Sequence, residues 1–416
     1  MFGKFPVVEK AYFGKISCFL IASIHSKNIN VFVIAEDVEG NFVYSSISIA
    51  MILSMISVGA AGNTKAQINS LIERPYSTEH QRLIEPSEHN YDVSYSPRIM
   101  PIDFLNSGLE SEWKHNERCD FSLQERKAFV LRVANKIFLA EGFTPKRYFS
   151  SVMTTRYHSA VESVDFSKSA KASKTINDWC AAQTNNLIKQ LVQPGNDTSL
   201  VLVDTVYFKG NWINEFNEEE TAIRPFHVNR MTVKTVPTMR RVGFYNYGKL
   251  PEVKAKFIEL PYRNVDDQAM SMFVILPDEI DGLGELIRNF EKVTIQKLHK
   301  GQMWDVELSL PKFKVDTKLD LESSLAKLGL TDMFGPSADF SGITVERPLT
   351  VSKIVQRNFI DVNEQGTEAA STQLDSRFND EPEISFNVDH PFISLIVNRI
   401  GMPYFTAVIV DPSSMH

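Results

Sequence analysis

The spacing of apolar side chains along this 416-residue chain is mostly helical early and strand-like later. The stretch YSSISIAMILSMISVGAAG, from Tyr44, begins with hydroxyl side chains and then turns apolar. Ile49, Ile52, Leu53 and Ile56 recur at the spacing of one helix face, which predicts a buried helix with a serine-rich start. Gly59 and Gly62 end it, and Asn63–Thr64 cap a second helix. Residues 73–123 are polar, carry prolines and show no period, so they are expected to form a long surface insertion. VLRVANKIFLAEGF (Val130–Phe143) predicts a strand closing on a glycine turn. Ala170–Val192 predicts a helix with Ile176, Trp179, Cys180 and Leu187 on one face.

From residue 200 strands dominate. SLVLVDTVYFKGNW and AMSMFVILP are nearly continuous apolar runs, as in strands covered on both faces. VELSLPKF alternates Val306, Leu308 and Leu310 inward with Glu307 and Ser309 outward. TKLDLESSLAKLGLTDMF reads as an amphipathic helix with Leu321, Leu325 and Leu328 on one side. Two final apolar runs, PFISLIVNRI and MPYFTAVIVDP, flank Gly401 and predict a hairpin in a buried sheet. The expected fold class is α+β, one large domain without a dividing linker.

Composition adds exclusions. A formal net charge of -7 argues against a dedicated nucleic-acid binder. Cys18, Cys119 and Cys180 form no CxxC pair, so neither a disulfide framework nor a zinc site is expected. The chain has no GxSxG elbow, no HExxH, no phosphate loop and no GxGxxG after a strand. An enzyme is not expected, and no cofactor or metal is implied. Only His390, in DHPF, joins an acidic neighbour to a buried-looking strand. Between Arg224 and Lys256 eight cations face one acid, Glu252. Arg224, Arg230, Lys234, Arg240 and Arg241 are therefore either a polyanion site or the solvated faces of strands whose charges diverge.

ISCFLIASI (Ile16–Ile24) follows Lys4, Lys10 and Lys15. It is too short to span a bilayer and fits the apolar region of a secretory signal, with a buried element as the alternative. Residues 1–26 are thus expected to be a signal or a disordered N-terminus, and the protein to be secreted. The acceptor sequon Asn196-Asp197-Thr198 follows Pro194-Gly195 and predicts a glycan on an exposed loop.

Several stretches together resemble the serpin family. NFVYSSISIAMILSMISVGAAGNTKAQI is similar to its shutter helix, and VANKIFL, VESVDF and INDWCAAQTNN follow in family order. LVLVDTVYFKGNW resembles the central strand, with Trp212 at the breach tryptophan's place. FIDVNEQGTEAAST resembles the reactive-loop hinge. The resemblance covers roughly residues 40–413, apart from 73–123, and implies one domain over 27–413 with three sheets and eight or nine helices. It further implies a monomer whose exposed loop, 364–385, is bait for an extracellular serine protease. Cleavage gives an acyl-enzyme, and the loop then inserts into the main sheet as a strand.

Strand insertion demands small inward side chains. In the hinge Glu364, Gly366, Thr367, Glu368, Ala369, Ala370 and Ser371, period two turns Thr367, Ala369 and Ser371 inward, and Gly366 supplies the bend. The shutter residues implied are Ser45, Ser48, Asp204 and Gln356. The last two replace the Asn and His common in the family, which points to pH sensitivity at acid. Gln373 continues the inward alternation, and a buried Gln without partners costs roughly 1–3 kcal/mol. Counting back from Phe386 places the scissile bond at Arg377-Phe378, whereas counting forward from the hinge places it at Asp380-Glu381. Arg377 suits a trypsin-like pocket. The alternative function is a non-inhibitory carrier or interaction protein.

Overall fold

The computed structural model describes residues 23–25, 28–30, 40–72, 129–184, 192–263, 269–346, 348–364, 382–399 and 401–414. The insertion at 73–123, Cys18, Cys119 and loop residues 365–381 lie outside these, as does the Ile16–Ala22 portion of the apolar N-terminal run. In chain order the strands are Ser23–His25 (β1), Asn28–Asn30 (β2), Phe42–Tyr44 (β3), Phe129–Ala140 (β4), Val161–Val164 (β5), Leu200–Gly210 (β6), Ala222–Asn229 (β7) and Thr232–Leu250 (β8). They continue with Ala255–Pro261 (β9), Met270–Pro277 (β10), Gln302–Pro311 (β11), Phe313–Asp320 (β12), Lys353–Val362 (β13), Ile384–Asn387 (β14), Phe392–Asn398 (β15) and Pro403–Ile409 (β16). The helices are Ser46–Gly59 (α1), Gly62–Ile72 (α2), Arg147–Arg156 (α3), Ser169–Gln183 (α4), Leu283–Arg288 (α5), Ile295–His299 (α6) and Glu322–Lys327 (α7).

Three sheets result, as expected. β1 and β2 form a small pair. Nine strands form a second sheet along the path β14-β11-β8-β9-β10-β15-β16-β3, with β7 beside β8. The central sheet has five strands in the order β12-β13-β6-β4-β5. Its pair β13–β6 is parallel, registering Lys353 with Val201 through to Ile360 with Phe208, while β12–β13 and β6–β4 are antiparallel.

Helix α1 packs against β4, β6 and β16 and is buried almost all round. That is why its apolar stripe could not be the whole story: Ser48, Ser54 and Ser57 are also buried, and each hydroxyl has a partner. Ser54 bonds the Tyr157 hydroxyl at 2.7 Å and Ser57 donates to Asn69 Oδ1 at 2.6 Å. On the opposite face of the central sheet α4 covers one end, with Trp179 edge-on to Phe138 at 6.0 Å.

Three expectations shift. The helix expected over 170–192 is observed from Ser169 to Gln183, with 185–191 outside the described residues. The helix read into TKLDLESSLAKLGLTDMF is only Glu322–Lys327, because Thr317–Asp320 completes β12 against β13. Leu321 and Leu325 are buried as expected. Ser309, expected outward, is buried where β11 lies between β8 and β14 in the nine-stranded sheet. The terminal hairpin is β15–β16, and Gly401 turns it at φ 82°, a conformation disfavoured for other residues.

Candidate functional site

Strand β13 is followed in the chain by residues 365–381, and its parallel pairing with β6 forms a seam in the central sheet. Three groups of side chains hold this seam or its upper end. The innermost is polar. Asp204 on β6 and Gln356 on β13 stand opposite each other and are fully buried. Gln356 Nε2 donates to Asp204 Oδ2 at 2.6 Å and to the Ser45 carbonyl at 2.9 Å. Ser48 Oγ donates to Asp204 Oδ1 at 2.5 Å. Ser45, at the N-cap of α1, gives its backbone N–H to Gln356 Oε1 at 3.1 Å, and Asn358 Nδ2 donates to the same oxygen at 2.8 Å. The resemblance thus named four residues, Ser45, Ser48, Asp204 and Gln356, that the fold brings into one cluster.

The charge in this cluster is uncompensated. From α1 it meets Ser45 and Ser48, from β13 Gln356 and Asn358, and Asn135 stands opposite on β4; none is ionic. Arg357 alternates to the other face of β13 and pairs with Asp316 through two contacts of 2.7 Å. Burial therefore pushes the Asp204 carboxyl from an ordinary 3.8 up to about 7, although hydrogen bonds from Ser48 and Gln356 pull it partly back. The acid-range sensitivity expected from the Asp–Gln exchange is corrected: the transition lies near neutrality, because desolvation dominates.

The second group closes the top of the seam. Trp212 stacks on Tyr262, with ring centroids 4.4 Å apart, and its Nε1 donates to the Asn363 carbonyl at 3.0 Å. Gly210 makes this close approach possible, since an added Cβ would lie 2.5 Å from the Tyr262 ring. The third group is the anchor of Glu364. Its carboxylate meets Lys312 Nζ at 2.6 Å, accepts from Thr221 Oγ1 at 2.8 Å, and its carbonyl accepts from Phe216 N at 3.2 Å. Burial works to raise the Glu364 carboxyl, but donation from Lys312, the backbone and Thr221 outweighs it and holds the group below its ordinary value.

Asn358, Lys312, Thr221 and Tyr262 were missed from sequence. Asn358 had a signal, because it lies two residues from Gln356 and period two puts both on one face. Lys312 and Thr221 had none; they reach Glu364 only through tertiary contacts. Gly366, Thr367, Glu368, Ala369, Ala370, Ser371, Arg377, Phe378, Asp380 and Glu381 fall outside the described residues.

The remaining candidates are placed as follows. Arg230 pairs with Glu279 and Asp281, Lys234 with Asp411, and Arg240 with Glu307 and Glu220, while Arg241 donates to the Glu215 carbonyl. With Arg224 they are strung along the β7–β8 hairpin, so the charges diverge and four of the five already have partners. His390 bridges Asp389 and the Pro277 carbonyl, a satisfied structural histidine. Asn196 is exposed in a turn. Cys180 is buried and unpaired, and burial pushes its thiol up to about 12. Among the described residues no helix is long and apolar enough to cross a membrane, and no cluster has the makeup of a metal site.

A sequence model described as Serpin (serine protease inhibitor) matches residues 29–412. Serpin B3 of Homo sapiens is 35% identical over 371 residues, covering 86% of this chain and 90% of that protein. Leukocyte elastase inhibitor of Homo sapiens is 33% identical over 373 residues, covering 86% and 89%. Among solved structures, uncleaved ovalbumin superposes with a TM-score of 0.71 at 26% identity, covering 89% of this chain and 93% of that one.

Two outcomes follow from the seam. Asp204 holds its proton in the closed sheet at pH values where an exposed aspartate has lost it. The native state therefore loses stability as pH rises from about 4 to about 7, by up to roughly 4 kcal/mol, and changes little above that. Asp204→Asn can point its oxygen at Gln356 and its amide at Ser48. In urea titrations across pH 4.5–8 the wild-type-minus-variant difference should fall with rising pH, and a flat difference counts against an uncompensated carboxylate. Glu364 behaves oppositely, and its contribution disappears as pH falls through its lowered value. Lys312→Met should cost roughly 1–2 kcal/mol by the same measurement at pH 7, the modest size reflecting the partial exposure of Lys312.

Proposed function

The chain belongs to the serpin family, and from that premise we propose that it is a single-use inhibitor of trypsin-like serine proteases. One observation carries this reading: β13 and β6 are adjacent and parallel, and β13 continues into the loop that precedes β14. A segment turning back from β13 into the seam runs antiparallel to both neighbours. One slanted, weaker parallel ladder is thereby exchanged for two antiparallel ones. The strand composition suits the exchange. Thr367, Ala369 and Ser371 are small and would turn inward on insertion, Gly366 would allow the bend, and the sequence has no proline over 362–381. The closed seam is the form that still has this free energy to release.

Arg377-Phe378 is the bond we assign to the protease, with Asp380-Glu381 as the alternative. An arginine is the group that a trypsin-like pocket pairs with. Asn363–Glu383 gives 383 - 363 + 1 = 21 residues between β13 and β14, so a cut at Arg377 leaves fifteen of them on the β13 side. A carrier role is the second reading, and it is favoured if Gln373 cannot be buried with partners. Export rests on the Ile16–Ile24 run, which precedes the family match over 29–412, and on the exposed Asn196 sequon. The relatives lend it no support. Polyanion binding is the weakest part of the reading, given the partners already held by Arg230, Lys234, Arg240 and Arg241.

Incubation with trypsin should give an SDS-stable complex and release a C-terminal peptide beginning at Phe378, identified by mass. Clean cleavage with no complex would sink the inhibitor reading and leave the carrier. Thr367→Arg should abolish the complex while leaving cleavage intact, because an arginine cannot enter the packed inner face. For export, the secreted protein should lack residues 1–26 on N-terminal sequencing and shift in mobility with a glycosidase. An intact N-terminus without a glycan is the contrary result.

A further inference from the structure

Strand β14, Ile384–Asn387, is four residues long and lies at the end of its sheet, joined to β11 by a parallel ladder. So short a parallel ladder holds an edge strand weakly. The segment just after β14 carries further bonds. Val388 N donates to the Ser309 carbonyl on β11 at 2.9 Å, and His227 N, on β7, donates to the Asp389 carbonyl at 2.7 Å. His390 reaches the other half of the sheet, with its Nε2 2.9 Å from the Pro277 carbonyl at the end of β10. Val388, Asp389 and His390 thus fasten the β14–β15 corner to β11, β7 and β10 in turn.

His390 is only 7% exposed, and both of its ring nitrogens face oxygens. The Pro277 carbonyl can only accept. Nδ1 lies 2.8 Å from Asp389 Oδ1. Donation from His390 outweighs burial and, with the His390 and His227 charges, holds the Asp389 carboxyl below its ordinary value, so this oxygen is an acceptor too. A neutral imidazole has one N–H and one lone pair. It would meet one acceptor and turn its lone pair toward the other. The imidazolium, with two N–H groups, satisfies both. Around the same corner β7 presents His227, and β10 runs on from Pro277 into Asp278, whose N–H donates to the Lys254 carbonyl. From β9, Lys256 Nζ lies 5.2 Å from the centroid of the Phe386 ring.

We propose that His390, held as the imidazolium, is a proton-operated clasp that fixes the β14–β15 corner, and with it the strand following the loop, to β7 and β10. The Asp389 side chain is 52% exposed and can turn to water when His390 loses its proton. The ring then keeps its bond to Pro277, and Asp389 loses the contact that orients its carbonyl toward His227. The native contacts favour the charged ring, so the clasp is closed at lower pH and opens as pH rises through the histidine range, about pH 5–8. Asp389 sets the acid limit, because its contribution is lost as pH falls through its lowered value. β14 is thereby held firmly in a mildly acidic medium and loosely in an alkaline one.

The test uses the full chain and reads the corner locally, because unfolding curves would also register Asp204. Side-chain nitrogen shifts of His390 report its charge, and at about pH 5.5 both ring nitrogens should carry protons. Amide exchange over residues 384–390, corrected for the intrinsic effect of pH, should quicken at least about tenfold between pH 5.5 and 8, the size of one lost bond to a charged partner. Asp389→Ala should abolish that change, since a ring facing one acceptor is satisfied when neutral. His390→Gln donates to Pro277 without titrating and should give equal protection at both pH values. His227→Gln should keep the wild-type change. A neutral His390 ring at pH 5.5, a wild-type corner indifferent to pH, or a change that survives Asp389→Ala or vanishes in His227→Gln would each overturn the clasp. Should His390→Gln fail to fold, the ring shifts and the half-exposed Asp389→Ala site still decide.

Discussion

The parallel ladder between β6 and β13 is the contact on which the rest of this structure depends. Two strands that run the same way can be hydrogen-bonded neighbours, but they leave room for a better arrangement in which a third strand runs against both. Under the proposed insertion, the third strand would come from the residues that follow β13 in the chain. The five-stranded sheet has a parallel ladder, β13 to β6, flanked by the antiparallel pairs β12–β13 and β6–β4. Under that proposal, the contacts near the seam would set how readily the third strand enters.

The closing contacts are of different kinds, and they respond to different conditions. The Trp212–Tyr262 stack and the Phe359–Tyr207 stack are apolar and indifferent to pH in the physiological range. The Glu364–Lys312 contact is ionic and near the surface. The Asp204–Gln356–Ser48 cluster is buried and, among the described residues, has no counter-ion, so its strength is set by the protonation of Asp204. β13 is bound to β12 by Arg357–Asp316 and Lys314–Asp361.

Placement of the main elements was legible because the physics is local. α1, β4, β6, β10 and the β15–β16 hairpin follow from apolar period, β-branched runs and a glycine turn. The helix at Leu321–Leu328 was overextended because Lys318 and Asp320 satisfy a helical stripe and a strand's exposed face equally well; pairing with β13 decided it. Ser309 was misplaced for the related reason that alternation does not say whether the outer face is covered.

Within the site, sequence determined the residue types and their order: a serine-rich helix start, a polar pair in two apolar strands, a small-residue hinge ending at Ser371. It also identified the family, because those features recur at fixed spacings. Only the tertiary structure decided that Asp204 has no cation near it, that Lys312 and Thr221 secure Glu364, and that the basic run from Arg224 is dispersed and largely paired. Each of these depends on desolvation or on contacts between strands distant in the chain. Burial and counter-charge are properties of a place, and a residue acquires its place only when the sheets close around it.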